Sequence, residues 1–157
     1  MKRICLIVCS LTIILISSYG QTTLKSKSPK TNYEFEKYSI KIEKFKISDK
    51  DLKYINGTNK FKTIIKEALK DTINFAGHCL FVFWGCGTSC QQSAIIDTKT
   101  KKVTFGPSAA TGFIYYANSR VLVSNPKDVD APDYVDNKAD IYIWQEDKLK
   151  LLRTTRW

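Results

Sequence analysis

Hydrophobic and polar residues recur with two different periods along the chain, and the change of period separates one helix from a series of strands. Apolar residues between Phe61 and Leu69 recur at three- and four-residue spacing, which places them on one stripe of an α-helix. Thr58 or Asn59, just before this stripe, is of a type that caps helix N-termini. The pattern therefore predicts one main amphipathic helix.

Strand patterns dominate the rest of the chain. Residues Tyr38 to Ile47 alternate between apolar and polar, which predicts a half-buried strand, and Leu80–Trp84 is apolar on both faces, which predicts a strand at the centre of a sheet. Three predicted hairpins follow: Ser93–Thr98 with Val103–Phe105, Phe113–Tyr116 with Val121–Val123, and Ile141–Trp144 with Leu149–Leu152. We expect an α+β fold in which the helix packs on an antiparallel sheet of six to eight strands, arranged as a meander of hairpins.

The first twenty residues follow the pattern of a secretory signal peptide. Lys2 and Arg3 precede an apolar run from residue 4 to 16, and Ser18-Tyr19-Gly20 offers small residues for cleavage. We predict a signal peptide over residues 1–20 and export to a periplasmic or secreted location. No second long apolar run follows, so no transmembrane span is expected in the mature protein.

The mature chain has the length of one domain. Residues 21–32 are polar and predict a flexible leader, and residues 33–157 predict a single α+β domain, which we expect to be a monomer. Removing Lys2 and Arg3 leaves 23 basic residues against 15 acidic ones, a formal net charge of +8. The lysines are scattered rather than clustered with aromatic residues, and export argues further against nucleic acid as a partner.

An acidic segment lies near the C-terminal end. Five aspartates crowd into thirteen residues between Asp128 and Asp140. Calcium favours such oxygen clusters, but the spacing lacks the glycine of an EF-hand loop. The segment is interpreted as a solvated surface loop.

One short stretch contains the residues with reactive side chains. It includes the only histidine, His78, and all three cysteines of the mature chain, Cys79, Cys86 and Cys90. In an oxidising compartment two cysteines would be bridged and one left over. A Cys86–Cys90 bridge would clamp the glycine-rich turn between them and fix its shape, while Cys79 would remain a buried thiol.

Three other interpretations of this stretch compete with the structural one. Cys86 or Cys90 could be a nucleophile activated by His78 in a hydrolase or transferase. Redox exchange is disfavoured because active dithiols are usually spaced C-x-x-C at a helix N-terminus. Zinc is disfavoured because His78 and Cys79 are neighbours in a predicted strand and should point to opposite faces. We therefore predict no metal and no cofactor.

The chain resembles a group of uncharacterised secreted bacterial proteins. The likeness is carried by an N-F-A-G-H segment at Asn74–His78, by W-G-C-G-T-x-C at Trp84–Cys90, and by the strand ending in Ile95–Asp97. Members often have an aromatic residue at the position of Cys79. The resemblance therefore implies that Cys79 is unpaired and that Cys86 and Cys90 are bridged, and it implies no activity.

A looser similarity in shape links the chain to periplasmic inhibitors of vertebrate-type lysozyme. Those proteins have a helix before a sheet and a short disulfide-closed loop between two strands that enters the lysozyme cleft. Their loop carries a His-Asp pair, whereas this chain has Gly87-Thr88-Ser89. The likeness is an analogy of shape.

These patterns favour a non-enzymatic binding or interaction module. It would present the Cys86–Cys90 loop to a protein or a cell-envelope component, with Trp84, Gly87, Thr88 and Ser89 as candidate binding residues. A hydrolase or transferase using His78 and a structural envelope protein are the alternatives.

Overall fold

The computed structural model describes residues 33–126 and 138–156. The predicted signal peptide, the leader and most of the acidic segment, from Asp128 to Asp136, lie outside the described residues. Within the described ranges the chain forms one α-helix, α1 (Lys62–Ala68), and eight strands. The strands are β1 (Lys53–Tyr54), β2 (Cys79–Gly87), β3 (Cys90–Asp97), β4 (Lys102–Phe105), β5 (Phe113–Tyr115), β6 (Val121–Ser124), β7 (Lys138–Gln145) and β8 (Lys148–Arg156).

The strands are divided between two four-stranded sheets and do not form a single meander. Sheet A has the order β1-β4-β3-β2, with β1 parallel to β4 and the other pairs antiparallel. Sheet B has the order β5-β6-β7-β8 and is antiparallel throughout. The three predicted hairpins are confirmed as β3–β4, β5–β6 and β7–β8. One helix and eight strands agree with the α+β class at that coarser level.

Helix α1 covers one face of sheet A. Ile65 and Ala68 are buried in a core shared with residues of β2, β3 and β4, as the apolar stripe predicts. The helix is shorter than the stripe, and its predicted cap is wrong. A 3₁₀ turn, Thr58–Phe61, precedes the helix, so the N-cap position falls on Phe61, which has no capping side chain. Thr58 is buried instead, and its hydroxyl donates a hydrogen bond to the Val103 carbonyl over 3.2 Å.

Strand β2 lies at the edge of sheet A, and the prediction of a central strand is wrong. Leu80 and Val82 pack in the core beneath α1, whereas Cys79 and Phe81 pack in a second core with Leu122 of sheet B. Both faces of β2 are apolar because a helix layer covers one and a second sheet covers the other. A strand that is apolar on both faces is covered on both faces, but it need not lie at the centre of its sheet.

The outer face of sheet B is covered by the N-terminal part of the described chain. Val121, Val123 and Ile141 are buried there against Tyr33, with Phe35 packed beside it. Four layers result: α1, sheet A, sheet B and the segment that begins at Tyr33. Among the described residues, no helix is long and apolar enough to cross a membrane.

The predicted strand from Tyr38 to Ile47 is not formed. Among the described residues only Ser39 of this segment makes a bridge, to Ser119, and Ile42 and Phe45 are 47% and 42% exposed. Two N–H groups of this segment bond to carbonyls of loops: Ile40 donates to Asn118 and Glu43 donates to Gly77, each over 2.8 Å. Alternation alone does not make a strand when the segment pairs with loops rather than with a sheet edge.

Candidate functional site

The hairpin of β2 and β3 ends in a disulfide-closed turn. Cys86 and Cys90 form the predicted disulfide, with their Cα atoms 5.1 Å apart. Gly87 pairs with Cys90, so the turn itself consists only of Thr88 and Ser89. The loop expected from the sequence is therefore a tight two-residue connection, and the strands run almost to its end.

A bulge adapts β2 to the disulfide. Gly85 pairs with Gln91 and Gly87 with Cys90, which leaves Cys86 as the extra residue on its strand. Gly87 has a φ of 139°, a backbone conformation that favours glycine. Apart from its two chain neighbours, no described residue has an atom within 4 Å of the position of a Cβ at Gly87, so its backbone geometry rather than crowding calls for glycine. From Gly85 to Ser89 the turn is exposed to solvent.

Aromatic rings flank the turn on both faces of sheet A. Trp84, predicted as a binding residue, is partly buried in the core beneath α1, with its ring 4.5 Å from that of Phe61. On the opposite face Phe83 is 44% exposed and packs against Phe113, with ring centroids 5.6 Å apart. Sequence reasoning missed Phe83, because a strand with two apolar faces gives no sign of which ring stays exposed.

A groove of about 540 Å³ lies beside the turn. It is lined by residues of the hairpin between Phe83 and Gln91 and, on the other side, by Ala110. The Gln91 N–H donates to the Ala109 carbonyl over 2.8 Å, and the Ala109 N–H donates to the Gln91 carbonyl over 2.9 Å. This pair of hydrogen bonds ties the facing loop to β3. Asn125 Oδ1 accepts from the Ala110 N–H over 2.6 Å and holds the same loop from sheet B. The Gln91 side-chain oxygen is buried and has no hydrogen-bond partner among the described residues.

The structure does not bring His78 to the bridged cysteines. His78 immediately precedes β2, and Cys86 lies near the far end of that strand. The extended residues between them, at about 3.3 Å each, separate the two by roughly 20 Å or more. A general base must come within hydrogen-bond reach of its nucleophile, and both sulfurs are already in the disulfide.

His78 instead lies beside Asp97 at the start of the hairpin. Its Nε2 is 3.6 Å from Asp97 Oδ2, and the two side chains are 13% and 2% exposed. Asp97 Oδ1 accepts from the N–H groups of Lys99 and Thr100 over 2.8 and 3.0 Å, which shapes the β3–β4 turn. Burial would raise the pKa of the Asp97 carboxyl, but His78 and these two N–H groups outweigh it and lower that pKa below its ordinary value.

Cys79 is the free thiol of the described chain, and it joins this group. It is fully buried and pairs directly with Asp97 across the hairpin. Burial raises the pKa of the thiol well above its ordinary value, and the Asp97 charge raises it further. His78 and Cys79 were expected on opposite faces of a strand, but β2 begins at Cys79 and alternation does not extend to His78. The ligand atoms of His78, Cys79 and Asp97 all lie within 4.8 Å of one another.

Two regions at opposite ends of β2 are thus candidate sites: the exposed turn with its groove, and the buried group around Asp97. The resemblance to uncharacterised secreted proteins stays a prediction. The chain matches no protein-family model, no curated protein and no solved structure.

Proposed function

We propose that the chain is an exported binding module that docks a protein or a cell-envelope component onto the tip of the β2–β3 hairpin. The observation that carries the proposal is the disulfide-closed turn beside an aromatic ring, Phe83, that is 44% exposed, and beside a groove of about 540 Å³.

The chemistry of the tip suits recognition. An exposed aromatic ring on a rigid strand contributes a large contact area and loses little conformational entropy on binding. The disulfide and the two-residue turn hold Thr88 and Ser89 in one arrangement before a partner arrives, which lowers the entropic cost of association.

The predicted export signal supports the same proposal. A disulfide persists in the oxidising compartments to which such a signal leads, so the tip would keep its closed shape where it meets its partner. With both sulfurs bridged and His78 at the other end of β2, the tip lacks the histidine-activated thiol of a cysteine hydrolase or transferase, which supports binding as the proposed role.

A site-specific crosslinking experiment tests the proposal. A photoreactive amino acid at Thr88 is compared with the same group at Lys150 of β8, in protein expressed with its own signal in a native-like host. We expect a discrete crosslinked product from position 88 and none of the same mass from position 150. Equal products from both positions, or products only from β8, would contradict the proposal.

Substitution then measures the contribution of the ring. Phe83→Ser should weaken the captured interaction by about thirtyfold or more, the effect of losing a central aromatic contact. Leu151→Ser is the matched control, because Leu151 is an exposed apolar residue, at 56%, on a strand outside the tip. An unchanged affinity in Phe83→Ser together with a loss in Leu151→Ser would move the binding surface to β8.

A further inference from the structure

The cluster of His78, Cys79 and Asp97 combines three kinds of metal ligand in one buried place. Cys79 and Asp97 are directly paired on adjacent strands, so both side chains leave sheet A on the same face. His78 precedes β2 and reaches Asp97 from the side, with 3.6 Å between Nε2 and Oδ2. An imidazole nitrogen, a thiol sulfur and a carboxylate oxygen thereby lie within 4.8 Å of one another.

The carboxylate of Asp97 is fixed by hydrogen bonds to one of its oxygens and faces His78 with the other. Oδ1 takes both backbone hydrogen bonds of the β3–β4 turn. Oδ2 is buried and makes no hydrogen bond within 3.5 Å among the described residues, and His78 Nε2 faces it at 3.6 Å as an ion-pair partner. His78 Nδ1 is buried and has no hydrogen-bond partner in the part of the chain that the structure describes. A buried carboxylate oxygen that has only an imidazole at 3.6 Å, next to a buried imidazole nitrogen without a hydrogen bond, is costly, and a cation bound between these side chains would remove part of that cost.

The surroundings allow a cation to enter and to remain. Cys79 has no exposed surface, and the core on this face contains Phe75 and Trp144. His78, with its side chain 13% exposed, is the member of the group that reaches solvent. A buried site that reaches the surface only through the partly exposed edge of His78 excludes bulk water while leaving a path for a small ion.

We propose that His78, Cys79 and Asp97 form a zinc-binding site. Zn²⁺ accepts this mixture of donors, with bonds of about 2.3 Å to sulfur and about 2.0–2.2 Å to nitrogen and oxygen. Tetrahedral coordination at those lengths places ligand atoms about 3.3–3.6 Å apart, so ligand atoms that lie within 4.8 Å of one another need to approach by about 1.5 Å at most. Three protein ligands leave the fourth position for water.

Binding is a simple exchange of a proton for the metal. The Cys79 thiol loses its proton to solvent as the sulfur–zinc bond forms, and no oxidant or reductant is required. Calcium and magnesium fit the group poorly, because they favour oxygen ligands and Asp97 contributes the one carboxylate of the group.

Cobalt substitution tests the proposal without any variant. The mature chain with its disulfide intact is treated with a chelator and then titrated with Co²⁺. We expect one Co²⁺ per chain and a sulfur-to-cobalt charge-transfer band in the near ultraviolet, which Zn²⁺ abolishes by displacement. Cobalt that binds without this band, or no stoichiometric binding at all, would overturn the proposal.

Variants then identify the ligands by isothermal titration with Zn²⁺. Asp97→Asn keeps an oxygen acceptor for the β3–β4 turn, and Cys79→Ala removes the thiol; each should weaken binding by at least about tenfold. Glu43→Gln is the matched control, since Glu43 is an exposed carboxylate that pairs with Lys99 over 2.6 Å near the same turn. Circular dichroism of the metal-free variants confirms that they fold. Zinc binding that survives both substitutions would overturn the proposed zinc site. This outcome does not depend on the result of the crosslinking at the hairpin tip.

Discussion

At the scale of single residues, one asparagine completes the outer edge of sheet A. Asn74 Nδ2 donates to the Phe81 carbonyl over 3.0 Å, and its Oδ1 accepts from the Phe81 N–H over 2.7 Å. The side-chain amide therefore takes the place of a neighbouring strand at the edge formed by β2. Without Asn74, the N–H and the carbonyl of Phe81 would lose both hydrogen bonds at an edge that is shielded from water.

Removing this amide should destabilise the fold. We expect Asn74→Ala to lower the free energy of unfolding by about 1–3 kcal/mol, because both Phe81 backbone groups lose their partners. Urea denaturation monitored by tryptophan fluorescence measures the change. Asn59→Ala, at an exposed position of the 3₁₀ turn, is the control and should change stability by less than about 0.5 kcal/mol. Equal effects of the two substitutions would contradict the role given to Asn74.

The cysteine outside the disulfide should be inert in the native protein. Cys79 is fully buried, so a reagent in solution does not reach its sulfur. Burial also raises the pKa of its thiol, so little of the reactive thiolate forms. We expect the metal-free native mature chain, without residues 1–20 and so without Cys5 and Cys9, to take up no maleimide probe, and the same chain, denatured but unreduced, to take up one label. Mass spectrometry counts the labels, and rapid labelling of native protein would show that this end of β2 opens.

The segment around His78 has one local feature that the sequence suggests and two contacts that depend on the fold. The glycine at residue 77 suggests a special backbone, and its φ is 74°. The reason it must be glycine is that a Cβ there would lie 2.6 Å from the Lys41 carbonyl oxygen, thirty-six residues away in sequence. Such a contact depends on the fold. The pairing of His78 with Asp97 escaped prediction for the same reason.

At the scale of elements, the β7–β8 turn has residues that are poorly suited to its backbone. Glu146 and Asp147 form the two-residue connection, with φ values of 53° and 58°. Positive φ at both central positions is the signature of a type I′ turn, which favours Asn-Gly. The position of this turn is evident from the sequence, whereas its conformation follows from the twist of the paired strands.

Matching the turn residues to the backbone should stabilise the protein. The double variant Glu146→Asn with Asp147→Gly is expected to raise the free energy of unfolding by about 1 kcal/mol, since left-handed backbone is costly for most side chains. The variant also loses ion pairs to Lys150 and Lys102, but these are exposed and contribute little. Lys150→Gln with Lys102→Gln removes the same pairs from the other side and should be nearly neutral. Thermal denaturation of both variants separates backbone strain from charge.

At the scale of the whole molecule, the order of the layers decides which apolar residues are buried. Hydrophobic patterning identifies the helix stripe and the hairpins, since each depends on neighbours in sequence. It does not show that the strands divide into two sheets. That division depends on sheet B packing against Phe81 and on the N-terminal segment packing against Val121 and Ile141. These contacts join distant parts of the chain and leave no local period.

The N-terminal layer gives a test of this architecture. Tyr33 is 5% exposed and covers the outer face of sheet B, so Tyr33→Ala should lower the free energy of unfolding by about 3 kcal/mol. Phe45→Ala is the control, because that ring is 42% exposed and its loss should change stability little. Chemical denaturation compares the two. A neutral result at Tyr33 would place the start of the folded domain after the predicted boundary at residue 33.

The disulfide at the hairpin tip also affects the fate of a cut chain. A protease in an extracellular space would find the Thr88–Ser89 bond at an exposed turn, yet Cys86 and Cys90 stand on either side of it. Cleavage there would yield two fragments that remain covalently joined and paired along β2 and β3. The nicked molecule would gain the mass of one water, stay in one piece without reductant, and separate into halves only when the bridge is reduced.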